Sequence, residues 1–457
     1  MLRWLGLITA CLFTPILQAA DQPPLKSRPN ILLIVADDLG WKDVGWHGGR
    51  YQTPHLDELV RTGIELDRHY VQPVCTPTRT ALLSGRWTSR FGPHALSPSN
   101  RRVFPPGTIT LASALKDAGY TTHIAGKWHL GSKPEWGPNH YGFDHSYGSL
   151  NGAVDPWTHK YRPGPYLDTW HRDGKVFHEE GNATELVAAE VLKWIHSAKT
   201  PWLIYVPFHA IHIPVDAPEI YKQRYAGVHF DDDPERSDAM LRMGAFVSQM
   251  DDKVGAFVDA LEKTGQRERT LIVFTSDNGG LQRGKNPYVG NVPDSPVLSS
   301  NAPLRGFKNQ LYEGGVRVPA FVNWPARLKP GKIEESLHAV DWMPTLTHLA
   351  GWTPPEGLQL DGMNLWPLLS GEAETLPSRP IYIPHPGGRI VLYEGWKLIT
   401  YNNGRNPQLY HVRSDPSETL NMAESAPEQL HKLLEIEQTL RQADVHEIPA
   451  DLINEEN

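Results

Sequence analysis

Cysteine is nearly absent: Cys11 and Cys75 are the only two in 457 residues. A disulfide-built scaffold and a cysteine-rich zinc fold are therefore excluded. Charge of one sign is never concentrated either. The formal net charge is −8 and is spread without long single-sign runs, so the basic stripe that a phosphate backbone requires is missing, which argues against nucleic acid as a partner. An apolar run of membrane-spanning length is also lacking, because the N-terminal "MLRWLGLITACLFTPILQAADQ" has a core too short and too proline-interrupted for a stable span. With 40% hydrophobic and 21% charged residues, the chain has the composition of a large globular protein, expected to form two domains.

The N-terminus instead carries one early arginine, an apolar stretch and small residues at Ala19 and Ala20, the pattern of a secretory signal over residues 1–20. Cleavage near residue 20 would deliver an exported protein, periplasmic or secreted. "ITAC" loosely resembles a lipoprotein acylation site at Cys11, but the apolar run before it is very short, and "DQPPLKSRPN" reads as a mature N-terminal arm. Lipid anchoring is not expected. Loss of the leader removes Cys11, so Cys75 would stand alone in an oxidising compartment, where a lone thiol is either buried or chemically purposeful.

"NILLIVADD" is a continuous aliphatic run that stops at Asp37 and Asp38, and "TLIVFTSDNGG" repeats the arrangement at Asp277 and Asn278. Such runs suit strands buried on both faces whose C-terminal ends open into a site. Helical stretches, among them "TPHLDELVRTG", "TLASALKDAGY" and "ATELVAAEVLKWIHSAK", alternate with strand-like "THIAG" and "WLIYVPFHA". The alternation predicts an α/β fold, a large mostly parallel sheet sandwiched by helices. The larger domain is placed at residues 21–371. From 372 to 457, successive short strands followed by "APEQLHKLLEIEQTLRQA" predict a smaller antiparallel sheet with one packed helix. The aromatic- and Pro/Gly-rich loops at 154–174 and 281–303 are too long for simple connectors and are candidates for substrate contact.

Asp37, Asp38, Asp277 and Asn278 are hard oxygen donors at two strand ends, a set that suits Ca²⁺ or Mg²⁺ better than zinc. Taken singly, Asp38 or Asp277 could merely cap a following helix; the duplication favours a metal. In "CTPTRTALLSG", Thr76 can cap a helix, Pro77 can open it and Gly85 can end it. Cys75 would then lie at the helix mouth, where free N–H groups favour an anion, with Arg79 one turn on. A buried structural cysteine with Arg79 on a solvated face is the alternative.

Cys75-Thr76-Pro77-Thr78-Arg79, continuing through Leu82-Leu83-Ser84-Gly85, resembles the signature of the formylglycine-dependent (type I) sulfatases of the alkaline phosphatase superfamily. The resemblance extends over "ADDLGWKDVGWHGG", "AGKWHLG", "FHAIHIP", "SDNGG", "LRGFKNQLYEGGVRVP" and "LYHVRSDPSETLNMA", nearly all of the mature chain. It implies that a maturation enzyme oxidises Cys75 to formylglycine, an aldehyde hydrated at rest. One Ca²⁺ would be bound by Asp37, Asp38, Asp277, Asn278 and residue 75. Arg79 and Lys127 would hold the hydrate, His129 would contact its hydroxyl, and His212 and Lys308 would bind sulfate and assist the leaving alcohol. Outside this resemblance, Lys127 and Lys308 could be surface lysines, and His129 and His212 satisfied loop histidines. "GFDHSYGSLNGAVD" and "HAIHIPVDAPEIY" are most similar to the arylsulfatase B and N-acetylgalactosamine-4-sulfatase side of the family, which implies a sulfated polysaccharide or glycosaminoglycan fragment as substrate, with aryl sulfates as surrogates. Two rival readings are a phosphomonoester or phosphodiester hydrolase of the same superfamily and a non-catalytic binder of sulfated glycans.

Overall fold

The computed structural model describes residues 28–199, 201–282, 286–292, 294 and 296–453. The expected leader, with Cys11, lies outside them. Among the described residues no helix is long and apolar enough to cross a membrane.

Asn30–Ala36 (β1) is buried at every position. Its alternate side chains feed two separate cores: Ile31, Leu33 and Val35 enter one, Leu32, Ile34 and Ala36 the other. That double burial is why the strand reads as an unbroken aliphatic run. The remaining strands of the large sheet are Ile64–Tyr70 (β2), Thr121–Lys127 (β3), His145–Ser149 (β4), Trp170–Arg172 (β5), Lys175–Val176 (β6), Trp202–Pro207 (β7), Thr270–Ser276 (β8), Ala320–Asn323 (β9) and Gly331–His338 (β10). They lie in the order β10-β2-β9-β8-β1-β7-β3-β4-β5-β6. The centre, β8-β1-β7-β3-β4, is parallel throughout, while β9 is antiparallel to both β2 and β8. Helices cover both faces. Cys75–Ser84 and Trp342–Leu349 pack into the first core, and Pro54–Arg61, Ala183–Ser197 and Pro234–Lys263 into the second.

Register positions the site. Ala36 of β1 pairs with Ser276 of β8, so Asp37-Asp38 and Asp277-Asn278 leave the sheet side by side. On the other flank, Asp37 N–H donates to Ala210 O (2.8 Å) and Ile211 N–H to Asp37 O (2.7 Å), which brings the loop after β7 against the same strand end.

The C-terminal region forms a four-stranded antiparallel meander of Ile381–His385 (β11), Gly388–Tyr393 (β12), Trp396–Tyr401 (β13) and Gln408–His411 (β14). The helix Pro427–Arg441 contributes Leu433 to the core this sheet shares with the first face of the large sheet. A fully buried ionic cluster fastens the two sheets. Lys397 Nζ on β13 lies 3.0 Å from Glu313 Oε1 and 2.9 Å from Glu418 Oε1, and Tyr70 on β2 donates to Glu313 Oε2 at 3.0 Å. Removing one member of such a cluster strands uncompensated buried charge. Lys397→Met should therefore lower unfolding stability by about 3–5 kcal/mol, read from the urea midpoint. Lys432→Met, which breaks an exposed pair with Glu394, should move that midpoint little.

Candidate active site

The helix Cys75–Ser84 is buried along its whole length and ends at Gly85, which takes φ 63° as its C-cap. The expected cap at Thr76 is not what forms. The helix begins at Cys75 with Val74 as N-cap, and Thr76 Oγ1 donates instead to His129 O at 3.1 Å. Pro77 thus occupies the third helical position, where a missing N–H costs nothing because first-turn donors have no intrahelical acceptor. Arg79 is 0% exposed, which removes the solvated-face alternative. Its guanidinium forks onto Asp277 Oδ2 through Nε (3.1 Å) and Nη2 (2.6 Å), and Nη1 donates to Lys127 O (3.0 Å).

No helix begins at Asp38 or Asp277, so neither aspartate is a cap. Asp37, Asp38, Asp277 and Asn278 are all essentially inaccessible. Asp37 Oδ2 accepts from Lys127 Nζ at 2.7 Å, and Asp38 Oδ1 accepts from Lys308 Nζ at 2.5 Å and from Asn278 Nδ2 at 2.7 Å. Asp277 Oδ1 accepts the Asp38 N–H at 3.3 Å. Three buried oxygens are left without any hydrogen-bond partner: Asp37 Oδ1, Asp38 Oδ2 and Asn278 Oδ1. Orphaned acceptors in one buried cluster are expensive unless a cation meets them. His212 joins Asp37 and Asp38 in a group whose ligand atoms lie within 4.8 Å of one another. Burial first, and then Asp277, raise the Asp37 carboxyl to about 7. The donor set therefore fits a hard divalent cation such as Ca²⁺.

Lys308 is set by its loop, whose Lys308 N–H donates to Gly280 O (3.2 Å) and Asn309 N–H to Pro73 O (2.7 Å). It thus bridges the segment after Asn278 and the segment before Cys75. Burial works against its charge, but Asp38, Cys75, Asp37 and Asp277 together outweigh it and keep the ammonium protonated. Burial likewise resists ionisation of Asp38, and Lys308 and His212 overcome it, bringing the carboxyl down to about 2. Neither Lys127 nor Lys308 is a surface lysine.

His129 has φ 57° and Asp38 φ 63°, left-handed conformations that cost non-glycine residues of order 1 kcal/mol and gather at functional sites. His129 Nδ1 is buried and unpartnered, and burial followed by Lys127 holds the ring well below its ordinary pKa. Gly152 lies against this ring, where a Cβ would stand 2.2 Å from Nε2. His212 Nδ1 lies 2.6 Å from Ile213 O. A carbonyl only accepts, so Nδ1 carries the proton and Nε2, 3.8 Å from Asp38 Oδ2, presents a lone pair. Burial and then Lys308 lower this imidazole to about 3.

Sequence reasoning missed His209, whose Nε2 is 2.7 Å from Ser149 Oγ at the end of β4. Burial, then Lys127 and Arg79, depress it, which places it beside the same cations. Its one signal was its spacing, three residues before His212. Cys75 itself is 2% exposed, and burial raises its thiol against the opposing pull of Lys127 and Lys308.

An alkaline-phosphatase-like α/β sheet that gathers hard oxygens, lysines and an arginine around a helix mouth defines a class of proteins built to handle oxyanion esters. Within that class the chain belongs to the sulfatase family: the Sulfatase profile matches residues 29–352, and the N-sulphoglucosamine sulphohydrolase C-terminal profile matches residues 307–445. It is 32% identical over 412 residues to arylsulfatase J of Mus musculus, covering 83% of this chain and 65% of that protein's length. It is 33% identical over 387 residues to N-acetylgalactosamine-6-sulfatase of Homo sapiens, covering 79% of this chain and 68% of that protein. Among solved structures, Ps i-CgsB in complex with k-i-k-neocarrahexaose superposes with a TM-score of 0.80 at 28% identity, covering 92% of this chain and 94% of that one.

Proposed function

We propose that the protein is an exported sulfatase that hydrolyses sulfate monoesters on polysaccharide or glycosaminoglycan fragments, with residue 75 matured to formylglycine and one Ca²⁺ held by Asp37, Asp38, Asn278 and Asp277. The observation that carries this reading is the trio of unpartnered buried oxygens, together with a residue 75 that feels the charges of Lys127, Lys308 and Arg79 as well as those of Asp277 and Asp37. The names of the relatives and the k-i-k-neocarrahexaose in the neighbouring structure support a carbohydrate substrate. When present, the ion would withdraw electron density from the sulfuryl oxygens, and the hydrated aldehyde would supply the attacking hydroxyl.

The chain's own residues divide the remaining work. Arg79, locked by Asp277, fixes positive charge at the helix mouth without freedom to reorganise, and Lys127 adds a second charge from the end of β3. His129, neutral and with Nδ1 free, is able to accept a proton from a hydroxyl on residue 75. Lys308 stays protonated and can bind sulfate and donate toward the departing ester oxygen. His212 presents a lone pair at Nε2, so it accepts a proton or a cation before it can donate. An unmodified thiol whose burial raises its pKa is a poor nucleophile, which favours the matured residue over a cysteine mechanism.

Mass spectrometry of the peptide spanning residue 75, on protein made with a formylglycine-generating enzyme, should show loss of the thiol. The same protein should hydrolyse 4-nitrophenyl sulfate at least about 10³-fold faster than 4-nitrophenyl phosphate. An intact thiol in fully active protein overturns the mechanism. A preference for the phosphate ester favours the phosphohydrolase reading, and no turnover of either favours a glycan binder.

A further inference from the structure

Beside the site stands a feature that the hydrolysis itself does not use. The loops at 154–174 and 281–303 are joined by two hydrogen bonds, Val289 N–H to Tyr161 O at 2.9 Å and Thr158 Oγ1 to Val289 O at 2.5 Å. The junction brings Tyr161 and Tyr288 together with ring centroids 5.6 Å apart. Tyr288 is buried and stands edge-on to His212, at 6.3 Å and 66°. Lys308 also lies close enough to act on the Tyr288 hydroxyl. This ring therefore forms a wall of the sulfate-handling region. The guanidinium of Arg162 lies against the same pair, 5.3 Å from the centroid of Tyr161 and 5.5 Å from that of Tyr288.

Arg162 is exposed, and no described carboxylate pairs with it. A guanidinium held on two aromatic faces has lost much of its side-chain freedom in advance, so ordering it on a ligand costs less. One donor is engaged by the Tyr288 side chain; the remaining guanidinium N–H groups suit the planar, bidentate recognition of carboxylate or sulfate.

We infer that Arg162, fixed on Tyr161 and Tyr288 one ring beyond His212, is a specificity-determining residue that grips a second anionic group on the substrate, next to the sulfate being cleaved. The inference rests on the sulfatase reading and narrows it: the preferred substrates are glycans with at least two acidic groups close together. A uronate carboxylate and a second sulfate share the required chemistry.

The test uses the full, matured, Ca²⁺-loaded protein and measures inhibition of 4-nitrophenyl sulfate hydrolysis by three oligosaccharides of equal length. One carries a single sulfate and no other charge, one carries that sulfate beside a uronate, and one carries two neighbouring sulfates and no carboxylate. At least one doubly anionic oligosaccharide should inhibit about tenfold or more better than the singly charged one. Arg162→Gln should reduce that preference to less than about threefold, and Arg162→Lys should restore part of it. The preference should weaken as ionic strength rises. Which of the two acidic probes responds identifies the source of the second charge. Equal inhibition by all three, or a preference that survives Arg162→Gln, overturns the inference. If the wild-type protein fails to hydrolyse the aryl sulfate, the sulfatase reading falls. Calorimetric titration with the same three oligosaccharides, in wild type and Arg162→Gln, then decides the role of Arg162 on its own.

Discussion

Replacing Cys75 by alanine is expected to lower sulfate-ester hydrolysis by at least about 10³-fold while the protein stays folded. The substitution removes a single sulfur from a buried position that no disulfide uses, so the stability cost should stay near about 1 kcal/mol. The paired measurement is kcat/KM on an aryl sulfate together with the unfolding midpoint. Cys75→Ser is the sharper companion. A serine hydroxyl can attack sulfur once but has no second hydroxyl on the same carbon with which to expel the sulfate. Its expected behaviour is a single burst of alcohol release followed by arrest. Steady turnover by either variant would sink the proposed role of residue 75.

The second large effect belongs to the metal. Asp38→Asn keeps an oxygen for Lys308 and nearly the same shape but removes one of the anionic donors, and should weaken Ca²⁺ binding by about a hundredfold or more, with loss of activity. For the wild type, Ca²⁺ at a hundredfold excess over its Kd should stabilise the folded state by about 2.7 kcal/mol, visible as a rise in the thermal midpoint. In Asp38→Asn that rise should vanish at the same concentration. A full Ca²⁺-induced shift in the variant, or activity that survives chelation in the wild type, would remove the metal from the proposal.

The strand ends were legible because two unbroken, β-branched-rich aliphatic runs each stop at a pair of oxygen donors, a pattern that suits strands buried on both faces. Which oxygens stay free was not legible. Arg79 claims Asp277, Lys127 claims one oxygen of Asp37, and Asn278 turns its amide nitrogen to Asp38, and each pairing joins residues far apart in sequence. The start of the helix at Cys75 was misjudged by local rules because Thr76 had a better partner, the carbonyl of His129, that tertiary structure alone provides. His209 escaped notice since two histidines three apart on a loop give no periodicity to show which one faces the site. The four-residue β9, inserted antiparallel between β2 and β8, is likewise too short to announce its direction. The long loops at 154–174 and 281–303 could be singled out by length and composition, but their junction at Val289 and Tyr161 is a fact of the folded chain.

The burial of residue 75 also sets an order in time. At 2% exposure, on a helix with no exposed residue, its sulfur is closed to any macromolecular catalyst once the sheet has assembled. In the proposed maturation, the modifying enzyme would have to act before the chain folds around the Cys75–Ser84 helix. Protein that folded first would then stay inactive until it unfolded, and the yield of active molecules would follow a race between folding and modification.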